Sequence, residues 1–198
     1  MDRFFEAYYA RRPVNATFIG VHAYDHLLPD FSENGAGDTL AEMRALLDEA
    51  EREDEVARGQ GPAEGTEDGL VERAGGADGG GAVGPGAPEA IDRALARGFL
   101  RIQAWEFDST HFHRGNPSTH AGEAVFGIVS LFLTDFAPLA ERTEAAVARL
   151  QAVPAFLASA RAQVRSAPRE WTLRAMRECE GALALLGGGV ERLIEEGV

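Results

Sequence analysis

The sequence predicts an all-α protein, a multi-helix bundle interrupted by one long Gly-rich loop. Three observations point that way. Apolar residues recur at spacings of three, four and seven in several separate stretches, the repeat of a helix with one buried face. Prolines and runs of glycine punctuate those stretches. No stretch alternates apolar and polar residues in the two-residue period of a half-buried strand.

The first helix is expected over roughly residues 2 to 11, where Phe4 and Tyr8, then Phe5 and Tyr9, pair at spacing four and give an aromatic face suited to a core. Pro13 fits the first turn of a second helix, where its missing N–H costs nothing, and Gly20 fits its end. His22 to Asp30 reads as an extended or turning segment, because Pro29 biases Leu28 away from helix. Asp38 or Thr39 is the expected cap of the next helix, with Glu42 completing a capping box and Leu40, Met43, Leu46 and Leu47 as its apolar stripe. The acidic run Glu49, Glu51, Glu53, Asp54, Glu55 reads as a solvated face, since it lacks the turn geometry of a calcium loop.

Eleven of the thirty residues from Gly59 to Pro88 are glycine, and large apolar residues are almost absent. Such a segment cannot bury enough surface to offset its ordering entropy, so it is expected to be a flexible, disordered linker. It lacks the Gly-Lys-Ser/Thr ending of a phosphate-binding loop. Pro88 or Glu89 then opens a helix whose stripe is Ile91, Leu95, Ile102 and Trp105. Gly115 and Pro117 mark a loop after it. The apolar centre AVFGIVSLFL predicts a buried helix from about Gly122 to Asp135 in the middle of the bundle, with Gly127 permitting close helix approach. Pro138 opens a further helix, with Leu139, Val147 and Leu150 expected inward and Glu141, Arg142, Glu144 and Arg149 outward. Pro154 and Pro168 each restart the chain, and Gly187 to Gly189 break the last helix. The divisions are 1–58 for the N-terminal helices, 59–88 for the linker and 89–198 for the helical core region, together one helical domain that is expected to be incomplete. The helical sequence at Glu195-Glu196-Gly197-Val198 is the ending expected of a fragment.

Composition narrows the function classes. A net charge of −13 disfavours nucleic-acid backbones and anionic membrane surfaces as partners. All 19 basic residues are arginine, so Schiff-base and P-loop lysine chemistry are excluded. The lone Cys179, in acidic surroundings, cannot form an intrachain disulfide or a Cys-based zinc site. No apolar run follows a basic start, and Ala124 to Leu133 is too short to span a bilayer, so a cytoplasmic location is expected.

The densest chemistry lies in the pattern Arg-Pro-Val-x-Ala-Thr-x-x-Gly-x-His-x-Tyr-Asp-x-x-Leu-Pro-Asp, residues 12 to 30. Phe-Leu-Arg-Ile-x-x-Trp-Glu (99 to 106), Arg-Gly-Asn-Pro-Ser (114 to 118), Gly-Glu-Ala-Val-Phe-Gly-Ile (122 to 128), Arg149-Leu150 and Pro154-x-Phe156-Leu157 follow in order. This series resembles the N-terminal part of the bacterial domain-of-unknown-function family 885, DUF885. The resemblance implies full-length relatives that are zinc-dependent peptidases or amide hydrolases, with a His-Glu metal motif in a C-terminal half. No His-Glu dipeptide occurs here, so no catalytic residue carries over and no cofactor is expected in this chain.

Within the chain, His22 and His26 would share a helix face and could hold two corners of a metal site, with Asp25 as third ligand or orienting partner. The plainer reading is a pair of hydrogen-bonded surface or interface histidines. His111 and His113, with His120 beyond, form a second weak metal candidate; His120 could instead cap the next helix. Asn116 before Pro117 reads as turn chemistry. If the resemblance holds, His22, Tyr24, Asp25 and Asp30 are the substrate-cleft candidates. The favoured expectation is a non-catalytic helical region that walls the cleft of a C-terminal catalytic region. The alternatives are a small histidine-based metal-binding protein and a self-associating structural bundle.

Overall fold

The computed structural model describes residues 2–59, 87–189 and 191–192, and those residues form helices joined by short loops and turns, with no strand. Helices α1 (Asp2–Arg11), α2 (Pro13–Phe18) and α3 (Glu33–Gly59) precede α4 (Ala87–Asp108), α5 (Pro117–Val129), α6 (Leu139–Gln163) and α7 (Arg169–Ala184). Short 3-10 turns lie at His22–Tyr24 and Ser130–Phe132, and a π-type turn at Leu185–Gly189 follows α7. The Gly-rich stretch between α3 and α4 lies almost entirely outside the described residues, as does the end of the chain. Among the described residues no helix is long and apolar enough to cross a membrane.

Helices α1, α3 and α4 form one layer whose antiparallel order is written in its ion pairs. Arg3 meets Glu49 and Arg11 meets Glu42, both at 2.7 Å. Arg44 meets Asp108 at 3.4 Å and Arg101 meets Glu51 at 2.5 Å, while Arg93 and Arg97 both reach Asp54. The acidic run is therefore not simply solvated: its members dock the arginines of α1 and α4. Beneath them Met43, Leu46 and Leu100 form a small core closed by Phe4, Ala7 and Leu47.

Helix α5 is central, packing on α2, α6 and α7. Asn116 caps it by accepting the Ser118 amide at 3.1 Å, with Pro117 in the first turn. Gly127 is needed because a Cβ there would sit 3.0 Å from Leu28 Cδ2 and 3.3 Å from Val14 Cγ2. The main core gathers around Phe31, with Phe107, Ala124 and Phe156 buried against it.

Several expectations are corrected. The α3 cap is Ser32, whose Oγ accepts the Gly35 amide at 3.1 Å, so the helix starts six residues before Thr39; Thr39 instead donates to the Gly35 carbonyl at 2.7 Å. Pro154 does not restart the chain but lies inside a continuous α6. Omitting one amide hydrogen bond is tolerated there because Val153 and Phe156 on either side are anchored in the main core. His120 is inside α5, not its cap. Two faces are inverted relative to the apolar pattern. On α6, Arg142 and Arg149 are buried while Leu139, Val147 and Leu150 are exposed. On α4, Leu100, Gln103 and Phe107 point inward, leaving Ile91, Leu95, Ile102 and Trp105 outside.

Candidate functional site

The segment from Arg12 to Asp30 is held from below by Arg149, whose side chain is wholly buried. A guanidinium has five donors and no acceptor, so it survives burial only among oxygens. Nε donates to the Leu27 carbonyl at 2.9 Å and Nη1 to the Gly127 carbonyl at 2.5 Å. Nη2 donates to Thr17 Oγ1 at 2.7 Å and reaches the Pro13 carbonyl at 3.3 Å and that of Tyr24 at 3.5 Å. One α6 side chain thus ties both ends of α2, the turn after it and the last turn of α5. Burial lowers the Arg149 pKa to about 10, opposed by the charges of Asp25 and Glu123, which leaves it protonated at neutral pH.

The network continues outward. Thr17 Oγ1 donates to Asp25 Oδ1 at 2.6 Å, and His22 Nδ1 lies 3.0 Å from Asp25 Oδ2. The His22 ring stacks on Phe136 with centroids 3.6 Å apart. Gly20, at φ 94°, makes the reversal that brings this turn back over α2. Of the four cleft candidates, Asp25 is buried and occupied by Thr17 and His22, whereas His22 and Tyr24 are half-buried. Asp30 is exposed and accepts the Ser32 amide at 2.9 Å, fixing the entry to α3. His26 is exposed.

The other histidines separate. His111 is exposed, with its ring edge toward Trp171. His113 is wholly buried among Phe31, Phe107 and Phe112, and neither of its ring nitrogens has a hydrogen-bond partner. His120 Nε2 lies 2.7 Å from the His113 carbonyl. Burial, reinforced by the charge of Arg114 and then by His120 and Arg12, lowers the His113 pKa to about 4. Burial also lowers that of His120, opposed by its bond to the His113 carbonyl. Among the described residues no group of three or more His, Cys, Asp or Glu side chains is arranged to hold a metal ion. The donor set does not fit zinc, and no chemical step through a metal is assigned here.

Two features escape a reading by sequence pattern. Arg12, at the head of the motif, sits 4.9 Å from the ring centres of Phe107 and Phe112 while donating to Gln103 Oε1 and Glu106 Oε2, both at 2.9 Å. Glu123 on α5 faces the charges of Arg12 and Arg149, and burial raises its pKa. The second feature is an open trough of about 520 Å³ between α1, α2 and α4. Phe4, Phe5, Tyr8, Tyr9, Leu95 and Phe99 wall it, and the motif contributes Asn15 and Ile19. Asn15 Nδ2 donates to the Tyr8 hydroxyl at 3.0 Å, which fixes that ring. The aromatic face of α1 is therefore only partly core; the signal for a trough was the abundance of rings at spacing four on so short a helix.

Comparison with known proteins places this architecture. No curated protein matches the chain. A solved structure, that of a candidate lipoprotein of unknown function from Shewanella oneidensis, has the same fold, with a TM-score of 0.68 and 23% identity over 92% of this chain. The matched region is 28% of that longer chain. Residues 13–195 match the family of bacterial proteins of unknown function DUF885, and the chain belongs to that family.

Proposed function

We propose that this chain is a non-catalytic wall of a substrate cleft, completed by a catalytic region of the kind found in longer family proteins. The observation that carries the reading is the aromatic trough of about 520 Å³, a concave apolar site with only Asn15, Asp92 and the tyrosine hydroxyls as polar lining. The motif from Arg12 to Asp30 borders it through Asn15 and Ile19, and Arg149 holds the motif in place. Two further facts support the reading. The chain corresponds to 28% of the longer protein that shares its fold. Ile102 and Trp105 stand on α4 with 55% and 64% of their surface open, an apolar stripe that a following region would cover.

On this reading the isolated chain binds apolar peptide groups weakly and hydrolyses nothing. The hydrolytic chemistry implied for full-length relatives belongs to the other region. The test is made in a longer family protein with peptidase activity, replacing the residues that match Tyr9 and Leu95 by serine. KM for an apolar peptide should rise about tenfold with kcat little changed, the signature of lost ground-state binding. Unaltered KM would remove the trough from the cleft. A self-associating bundle is the second reading, favoured by the same α4 stripe; it predicts a concentration-dependent dimer of this chain alone.

A further inference from the structure

Away from the trough, a second cavity of about 450 Å³ opens where the α4–α5 loop meets the α6–α7 loop, and it carries charge instead of rings. Its lining is Thr110 and Arg114 from the first loop, Gln163 from the end of α6, Arg165 and Ser166 from the loop after it, and Glu33 from the start of α3. Most described arginines are engaged in ion pairs or with carbonyls. Arg114 and Arg165 have no ion-pair partner among the described residues, and neither has Glu33. In a chain of net charge −13, two guanidiniums and a single carboxylate, Glu33, line this concavity, and no ion pair joins them. A planar guanidinium fork matches a carboxylate, and the Ser166 and Thr110 hydroxyls add neutral donors. Glu33 makes the cavity unsuited to a simple anion but suited to a ligand that carries an ammonium as well.

We propose that this cavity binds a small zwitterion, a free α-amino acid or a short peptide with both termini unblocked. Arg114 and Arg165 take the carboxylate, Glu33 takes the ammonium, and Gln163 bridges the polar atoms between. The site is independent of the cleft-wall reading, since it shares no residue with the trough.

The test titrates the intact chain, followed by amide chemical shifts, with glycine, L-leucine, N-acetyl-L-leucine, L-leucinamide and inorganic phosphate. Saturable shifts at Thr110, Arg114 and Ser166 are expected for glycine and L-leucine. Blocking either terminus should weaken binding about tenfold, because each removes a charge-assisted contact. Arg165→Ala, on an exposed loop where folding is not at stake, should weaken L-leucine by about the same factor. Glu33→Gln should erase the preference for L-leucine over its N-acetyl form. If N-acetyl-L-leucine or phosphate binds as tightly as L-leucine and Glu33→Gln changes nothing, the cavity is a plain anion pocket and the proposal fails. It fails equally if no probe gives a saturable shift.

Discussion

Arg149 is the residue on which the geometry of the motif turns. It serves carbonyls and a hydroxyl from α2, the His22 turn and α5. Arg149→Ala should cost about 3–5 kcal/mol in urea unfolding, a large fraction of a domain's stability. Arg149→Lys should recover little of it, because an ammonium cannot replace a fork of five donors. The family resemblance singled out Arg149-Leu150, but helical periodicity placed the arginine outside. Periodicity counts apolar residues, and an arginine buried among carbonyls is counted on the wrong side. Arg142 misleads in the same way, donating to the Ala137 carbonyl at 2.9 Å and to Asp135 at 2.5 Å. His113 yields a prediction with a definite sign. Its folded pKa, about 4, lies below the unfolded value of 6.5, so the unfolded chain binds the proton first as pH falls. Its contribution is fully present above pH 6.5 and drains away between there and pH 4, by on the order of 3 kcal/mol. Glu123, whose pKa is raised, acts in the opposite sense above its unfolded pKa of 4.5. The measurement is therefore the difference between the native chain and His113→Phe across that window. The variant should lose less stability on acidification; parallel curves would contradict the assignment.

At the level of the helix, glycines separate packing from propensity. Gly127→Ala should destabilise by about 1–3 kcal/mol, since its methyl would press on Leu28 and Val14. Gly122→Ala, on the same helix with open space around it, should stabilise by up to about 1 kcal/mol. Thermal denaturation of the two variants checks both signs. Some helix starts were legible because breakers act locally: Pro13 and Pro168 stand where the structure begins α2 and α7. The start of α5 was not, since Asn116-Pro117 reads as a turn and the helix, expected from about Gly122, begins at Pro117. Two further boundaries were not legible either. Ser32 caps α3 ahead of a glycine-bearing first turn, which reads as loop. Pro154 sits within α6, where packing of Val153 and Phe156 outweighs the missing hydrogen bond. The outward turn of the α4 stripe was illegible for another reason: a periodic apolar face shows that something covers it, not that the same polypeptide does.

The whole molecule combines a well-anchored motif, an aromatic trough beside it and an apolar helix face turned outward. The core residues around Phe31 explain how it folds, but not why Trp105 and Ile102 are left open to water. On the proposed reading, a partner region in a longer protein covers that face. Sedimentation velocity of this chain mixed with the region that follows the matched segment in a longer family member is the most direct measurement of the claim. A one-to-one complex is predicted, lost on Ile102→Asp with Trp105→Asp while the variant chain stays folded. Two species that sediment independently, or a homodimer of this chain that excludes the other region, would contradict it.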